Sequence, residues 1–320
     1  MTEKKLRHLV NVTDLSTDEI AQVYRAATAT KKQIAQGVHN DALADRVLGM
    51  IFEKPSMRTR VSFQAAMIQA GGQAIDIRGQ EIGLGKRESV KDVARVMSRY
   101  VDAIMVRTFA HRNVELLARH ATVPVINGLS DDAHPCQALA DVFTIREKLF
   151  PGRDGLDCLR GVTVAFVGDS NNVARSLATL CAWLGMNFVL SGPEEYAFDD
   201  AFLESVDETV GDRSAIRMVR DPREAVADAQ VIYTDTWASM GQESEAAVRR
   251  KAFQSYQVNT DLLSAASADA PVMHCLPAHR GEELTDEVID GPRSIVYDQA
   301  ENRLHVQKAL IFFLLGVEAG

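Results

Sequence analysis

Eight consecutive residues, Glu53-Lys54-Pro55-Ser56-Met57-Arg58-Thr59-Arg60, place two hydroxyls and two guanidiniums side by side. They follow an apolar run, Val47 to Phe52, that reads as a buried strand, and they precede Val61 to Ala70, which reads as a helix ending at Gly71-Gly72. The first N–H groups of a helix have no partner inside it, and the helix dipole there favours negative charge. Ser56 and Thr59 add neutral donors, and Arg58 adds a planar fork that suits phosphate better than a lysine would. The chemistry this junction offers is the binding of an oxyanion. A capped helix with arginines on its solvent face is the plain structural alternative, because short motifs recur by chance.

Other reactive residues stand after apolar runs of the same kind. Arg107 and Thr108 follow one, and another leads through a loop to His134-Pro135-Cys136-Gln137. Gly168-Asp169-Ser170-Asn171-Asn172, Asp235-Thr236-Trp237-Ala238-Ser239-Met240-Gly241, Cys275-Leu276-Pro277 and Glu301-Asn302-Arg303 complete the set. Each has a bland reading. His134 can cap a helix, Asp235 can be an N-cap, and Cys275 can be a small buried hydrophobe. The Gly168 turn lacks the second and third glycines of a dinucleotide fingerprint, so no nicotinamide cofactor is expected. No second ligand pair joins His134 and Cys136, so no metal is expected either. Their shared placement argues against the bland readings, since ligands of open parallel sheets bind outside the carboxyl ends of the strands.

The elements that must position these residues come in alternating order. Strand-like pieces at 47–53, 74–78, 103–108 and 123–127 alternate with helix-like pieces at 58–70, 89–100, 111–121 and 135–149. That order implies a parallel sheet covered by helices. A capping box, Ser16-Thr17-Asp18-Glu19, opens an earlier helix that ends at Gly37. Pro151-Gly152-Arg153-Asp154-Gly155 breaks the pattern and is the expected domain junction. A second strand series follows: Val162 to Gly168, Phe188 to Leu190, Ala215 to Val219, Val231 to Thr234, Pro271 to Cys275 and Ser294 to Tyr297. The chain closes with a helix over about 300–316. The expected fold is α/β, two doubly wound parallel-sheet domains, with an active-site cleft between them.

Composition narrows the partners. A net charge of −9 argues against a general nucleic-acid binder or an anionic-membrane binder. The four cysteines, at 136, 158, 181 and 275, form no Cys-x-x-Cys and no disulfide framework. The residues Met1 to Lys5 lack the apolar core of a signal peptide, and the apolar run Ala309 to Val317 is too short to cross a bilayer. A reducing cytoplasm is the expected compartment.

Four of these stretches together carry a resemblance to ornithine carbamoyltransferases along essentially the whole chain. Ser56-Met57-Arg58-Thr59-Arg60 resembles the family's carbamoyl-phosphate loop, and His134-Pro135-Cys136-Gln137 its His-Pro-x-Gln motif. Asp235 to Gly241 resembles the amino-acid loop, and His274-Cys275-Leu276-Pro277 the His-Cys-Leu-Pro loop. The resemblance implies transfer of a carbamoyl group from carbamoyl phosphate to L-ornithine, giving L-citrulline and phosphate, without a cofactor. It implies that Ser56, Met57, Arg58 and Thr59 cradle the phosphate and that Arg107 bridges phosphate and carbonyl. It gives His134, Gln137 and Arg303 to the carbamoyl group. Cys275 and Leu276 line the reacting centre and the carbamoyl-phosphate site. Asn172, Asp235, Ser239 and Met240 hold the amino-acid end of ornithine. The residues acting in catalysis are then Arg107, His134, Asp235, Cys275 and Arg303.

The resemblance also implies a carbamoyl-phosphate domain over 1–150, rejoined by a C-terminal helix over 305–320, an ornithine domain over 151–304, and a homotrimer with sites at subunit interfaces. One position departs from the family pattern. Gly83 stands where a His or Gln commonly reaches into a neighbouring subunit, which leaves Gln80 or Lys86 as substitutes or the contact absent. A sister enzyme acting on putrescine or an N-acylated ornithine, and a silent binder of carbamoyl phosphate, are the competing readings.

Overall fold

The computed structural model describes residues 6–38, 40–211, 215–238, 241 and 243–318. The chain forms two compact units, one of residues 1–143 and 302–320 and the other of residues 144–301.

The first unit holds a parallel sheet of β1 (Val47–Phe52), β2 (Gln73–Arg78), β3 (Ala103–Arg107) and β4 (Val125–Leu129), in the order β2-β1-β3-β4. β1, β3 and β4 are almost wholly buried, which is why they read as continuous apolar runs and not as alternating ones. β2 is the edge strand and alternates. Leu9 adds a single parallel bridge to Ile126 of β4 at the other edge. Helices cover the sheet, and one core gathers Ile51, Val93, Ile104, Val106, Val114 and Leu117. Ser16 and Glu19 form the capping box expected of the first helix, Thr17–Ala35. That helix buries Ile20, Val23, Tyr24 and Ala27, and the Tyr24 hydroxyl donates to Leu139 O at 2.7 Å. Fully burying each large apolar side chain of this kind contributes roughly 1.5–3 kcal/mol.

The second unit holds β5 (Thr163–Val167), β6 (Asn187–Ser191), β7 (Ile216–Val219), β8 (Val231–Thr234) and β9 (Val272–His274), all parallel, in the order β7-β6-β5-β8-β9. Phe166 of β5 stacks on Tyr233 of β8 with centroids 5.1 Å apart. Each sheet starts in its middle and grows in both directions. The reversal falls between β1 and β3 in the first sheet and between β5 and β8 in the second. Crevices at such reversals are where open parallel sheets bind ligands.

One sequence expectation needs correction. Ser294 to Tyr297 is not a sixth strand. Only one parallel bridge, Val272 to Ser294, forms before the last helix, Val296–Leu315, begins. Val272 N–H donates to Arg293 O and Ile295 N–H to Val272 O, after which the backbone turns helical. The compact units divide at Phe143/Thr144, inside the helix Pro135–Leu149 and a few residues before the Pro151 turn. A proline and glycine mark where a helix must stop; they do not mark where its side chains change company.

The last helix carries an unusual set of buried polar side chains: Arg303, His305, Gln307 and Lys308. Lys308 is 1% exposed, and its Nζ donates to Gln69 Oε1 at 2.7 Å. Burial pushes its ammonium down to about 8 from an ordinary 10.5. A lysine whose folded value lies below its unfolded one costs stability at every pH below about 8. That cost fades as pH rises from 8 towards 10.5, where the unfolded chain also gives up the proton. Lys308→Met is expected to raise the thermal midpoint at pH 7, with a gain that shrinks steadily between pH 8 and pH 10. Calorimetric melts of both proteins across that range would check it.

Candidate active site

In the first unit the expected anion-binding residues come together at the carboxyl ends of β1, β3 and β4. Ser56 is the N-cap of the helix Met57–Ile68, and its hydroxyl accepts from Thr59 N–H at 3.3 Å. The helix therefore opens next to the end of β1, with Arg58 half-buried in its first turn. Arg107 ends β3. Its pairing with β4 is offset by one residue, because Asn127 and Leu129 pair with neighbours in β3 while Gly128 is extra. A Cβ on Gly128 would lie 2.5 Å from Met105 Sδ, so a larger residue at the bulge would have to displace that side chain.

Arg303 arrives from the last helix and joins this cluster. Its Nη1 donates to Gln137 Oε1 at 2.5 Å and its Nη2 to Thr59 Oγ1 at 3.2 Å. Gln137 Nε2 in turn donates to Asp141 Oδ1 at 2.8 Å, which fixes which way the amide faces. His134, at the mouth of the helix Pro135–Leu149, is buried. Burial first, then the charges of Arg303 and Arg107, hold its pKa well below the ordinary 6.5. His134 is thus a neutral imidazole at physiological pH, available as a fixed donor among guanidiniums. Cys136 beside it is also buried, its thiol is pushed up to about 12, and its Sγ donates to Asn127 O. It has no thiolate chemistry to offer.

In the second unit a different set gathers at the ends of β5, β8 and β9. Asp235, buried, accepts from Cys275 Sγ at 3.0 Å on Oδ1 and from Asn171 Nδ2 at 2.9 Å on Oδ2. Asn171 also caps the helix Asn172–Trp183, accepting from Val173 and Ala174 N–H groups at 3.0 Å each. The helix N-terminus and the carboxylate are thereby locked by one side chain. Asn172 begins that helix. Ser239 and Met240 lie outside the described residues.

Behind Cys275 lies a fully buried pair. Leu276 N–H donates to His274 Nδ1 at 2.8 Å, so that nitrogen is an acceptor and the ring proton is on Nε2, 3.0 Å from Glu283 Oε1. His274 N–H donates to Gln299 Oε1, and Gln299 Nε2 donates to the Tyr233 hydroxyl. Leu276 has φ of +58°, a conformation that a branched side chain adopts only when its surroundings compel it. The buried histidine, accepting from Leu276 N–H, supplies that compulsion. Asp235, His274 and Cys275 lie close enough to ring a cation, yet both ring nitrogens of His274 are already engaged, so the set does not suit a resident metal.

Some roles differ from what residue order suggested. Arg60 turns away from the cluster to pair with Asp76 of β2 at 2.9 Å and to lie over Phe52. Asn171 bonds Asp235, while its neighbour Asn172 begins the helix. Glu283 gave no signal at all in the sequence, because nothing local marks a carboxylate nine residues past a histidine as its partner. Gly83, the departure in the 80s stretch, ends the short helix Gly79–Ile82 at φ of +62°, and a Cβ there would meet Arg87 Cβ at 2.8 Å. The turn itself demands glycine, while Gln80 and Lys86 stand exposed on either side.

Comparison with known proteins also divides the chain in two, between residues 147 and 160. Residues 7–147 match the family model for the aspartate/ornithine carbamoyltransferase carbamoyl-P binding domain, and residues 160–314 match that for the Asp/Orn binding domain. An ornithine carbamoyltransferase of Archaeoglobus fulgidus is 49% identical over 314 residues, covering 98% of this chain and 99% of that protein. An anabolic ornithine carbamoyltransferase of Pyrococcus furiosus is 49% identical over 311 residues, 97% of this chain and 96% of that protein. The solved structure of ornithine carbamoyltransferase from Pyrococcus furiosus superposes with a TM-score of 0.90 at 49% identity over 97% of each chain. That from Burkholderia thailandensis gives 0.87 at 42% identity over 97% of this chain and 99% of that one. With both halves matched and the donor clusters at the reversal points of both sheets, the chain belongs to the aspartate/ornithine carbamoyltransferase family.

Proposed function

We propose that this protein transfers the carbamoyl group of carbamoyl phosphate to the δ-amine of L-ornithine, releasing L-citrulline and phosphate. The observation that carries the reading is the pairing of Asp235 with Cys275 in one unit and the neutral His134 among guanidiniums in the other. The first is a set for an amine, the second for a phosphorylated carbonyl. The names of the relatives, ornithine carbamoyltransferases at about half identity, support the choice of ornithine.

The residues divide the chemistry as follows. The N-terminus of the helix Met57–Ile68, with Ser56, Arg58 and Thr59, binds the phosphate, and Met57 contributes through its backbone. Arg107 spans phosphate and carbonyl oxygen. His134, Arg303 and Gln137 hold the carbamoyl group. As the nitrogen attacks, negative charge grows on the carbonyl oxygen, and donors fixed by burial stabilise that charge more than the ground state. The C–N bond forms, the C–O bond to phosphate breaks with its electron pair leaving on phosphate, and the proton lost from the attacking nitrogen passes to that phosphate. No covalent enzyme intermediate is required, and alignment of the two substrates supplies much of the rate. The amine must lose a proton to become a nucleophile, since an alkylammonium is mostly protonated at neutral pH. Asp235 draws the ammonium in and, with Cys275, orients it and eases that loss. Leu276 shapes the wall beside it. Asn172, Ser239 and Met240 take the α-amino acid end. Four cysteines without a disulfide among the described residues are in keeping with a reducing cytoplasm.

The same reading makes the protein a homotrimer. What supports it is an apolar face that the single chain leaves open: Met57 at 72% and Ile68 at 70% exposed, with Val61 between them on the same helix and Ile75 on the edge strand β2. Apolar side chains grouped this way mark a protein interface.

Three outcomes are expected. Carbamoyl phosphate offered with ornithine, putrescine, N-acetylornithine or aspartate in separate assays should give carbamoylated product and phosphate with ornithine alone; turnover with another amine instead would move the protein to a sister activity. Cys275→Ser should lower kcat roughly tenfold to a hundredfold and displace the alkaline-rising limb of the pH profile, an effect of the size expected for a proton-handling group. An unchanged rate and profile would remove the thiol from the mechanism. Val61→Glu with Ile68→Glu should convert trimers into smaller species by light scattering, and a variant that stays trimeric would show that this face is not the contact.

A further inference from the structure

One buried charge in the first unit has no part in the roles above. Lys54 stands two residues before Ser56, in the turn that joins β1 to the helix Met57–Ile68. Its side chain is 7% exposed. Its Nζ lies 2.5 Å from Asp131 Oδ1 and 4.4 Å from the centre of the Phe109 ring. Those partners come from two other strand ends. Phe109 follows Arg107 by two residues after β3, and Asp131 precedes His134 by three after β4. The same loops are joined by backbone bonds: Asp131 N–H donates to Phe109 O at 2.8 Å and Thr108 N–H to Leu129 O at 3.0 Å. Glu53, next to Lys54, holds the β3 end from the other side. Its N–H donates to Arg107 O at 2.8 Å and its carboxylate accepts from the Thr108 hydroxyl.

One ammonium thus touches two of the three strand ends that carry oxyanion donors, and is covalently part of the third. We propose that Lys54 is the positioning residue of the carbamoyl-phosphate site, holding the Ser56–Thr59, Arg107 and His134 segments in one arrangement. This inference rests on the reading of that site given above. Two physical effects act together. An ammonium buried over an aromatic face needs an acceptor, so loss of Asp131 contact is costly and the loop geometry is narrow. The ion pair also neutralises a carboxylate close in sequence to His134, which would otherwise oppose the field that draws in a phosphate. Asp131 is 57% exposed, so the ion pair by itself adds little to overall stability, and its consequence is local.

The experiment combines steady-state kinetics with calorimetric titration of inorganic phosphate into the full chain and its variants. Lys54→Met should raise KM for carbamoyl phosphate and weaken phosphate binding by roughly tenfold or more, the scale expected when a binding loop moves by a fraction of an ångström, and leave KM for ornithine within about twofold. Lys54→Arg should recover most of the loss, since a guanidinium keeps both the ion pair and the ring contact. Asp131→Asn, at a surface position, should shift carbamoyl-phosphate KM in the same direction, and the double variant should fall short of the product of the two. The proposal is overturned if Lys54→Met leaves phosphate binding unchanged, or if both substrates weaken alike and arginine does not rescue. It is also overturned if Asp131→Asn tightens binding, since a lysine freed by that change would be a direct ligand. A wild-type protein that binds phosphate yet fails to turn over carbamoyl phosphate would sink the functional reading instead, while the phosphate titration still decides the place of Lys54.

Discussion

The guanidinium of Arg303 bonded to Gln137 and Thr59 is the interaction on which the first unit depends. Thr59 lies 244 positions earlier in the chain. A buried arginine is tolerated only where its donors find fixed acceptors, and here each acceptor is itself held: Thr59 by the helix cap at Ser56, Gln137 by Asp141. Binding a phosphate in an acidic protein needs a local excess of positive charge, and that excess repels itself until the anion arrives. His134 relieves the problem. Forced to remain neutral by burial and by Arg303 and Arg107, it adds no further charge to the cluster.

On the proposed reading, the second unit meets a different demand, the orientation of an amine. Its means is a chain of contacts running inwards from the loop. Cys275 faces Asp235, Leu276 is bent into the left-handed region, and His274 beneath it is fixed in one tautomer by a buried glutamate. Burial of that histidine–glutamate pair keeps water from competing for either partner, so the loop above inherits a rigidity that its own short sequence does not supply.

Most of the architecture was legible because parallel strands buried on both faces write themselves as unbroken apolar runs. The candidate site residues could be proposed because open sheets bind ligands after such runs. What the sequence could not show followed from three-dimensional choices. Ser294 to Tyr297 has the look of a strand, but helix formation begins at Val296 and only a single bridge survives. Arg60 sits in the same motif as Arg58, yet its helix phase carries it to Asp76. Asn171 and Asn172 are identical residues side by side, and only the helix start distinguishes the one that caps and bonds Asp235. Glu283 and Lys308 are charges in fully buried places, where surface exposure is the ordinary expectation for such residues.

The division of the chain at Phe143 and Asn302 bears on how the molecule comes into being. The first unit is written in two pieces with the whole of the second between them. A ribosome reading from the N-terminus delivers Thr59 and Gln137 early and Arg303 nearly last. Until the final helix emerges, the nascent first unit contains a buried threonine and glutamine whose guanidinium partner does not yet exist. The proposed oxyanion site is therefore completed at the end of synthesis, and a chain that stops short of residue 303 lacks the guanidinium that Thr59 and Gln137 accept from, however well its N-terminal sheet has formed.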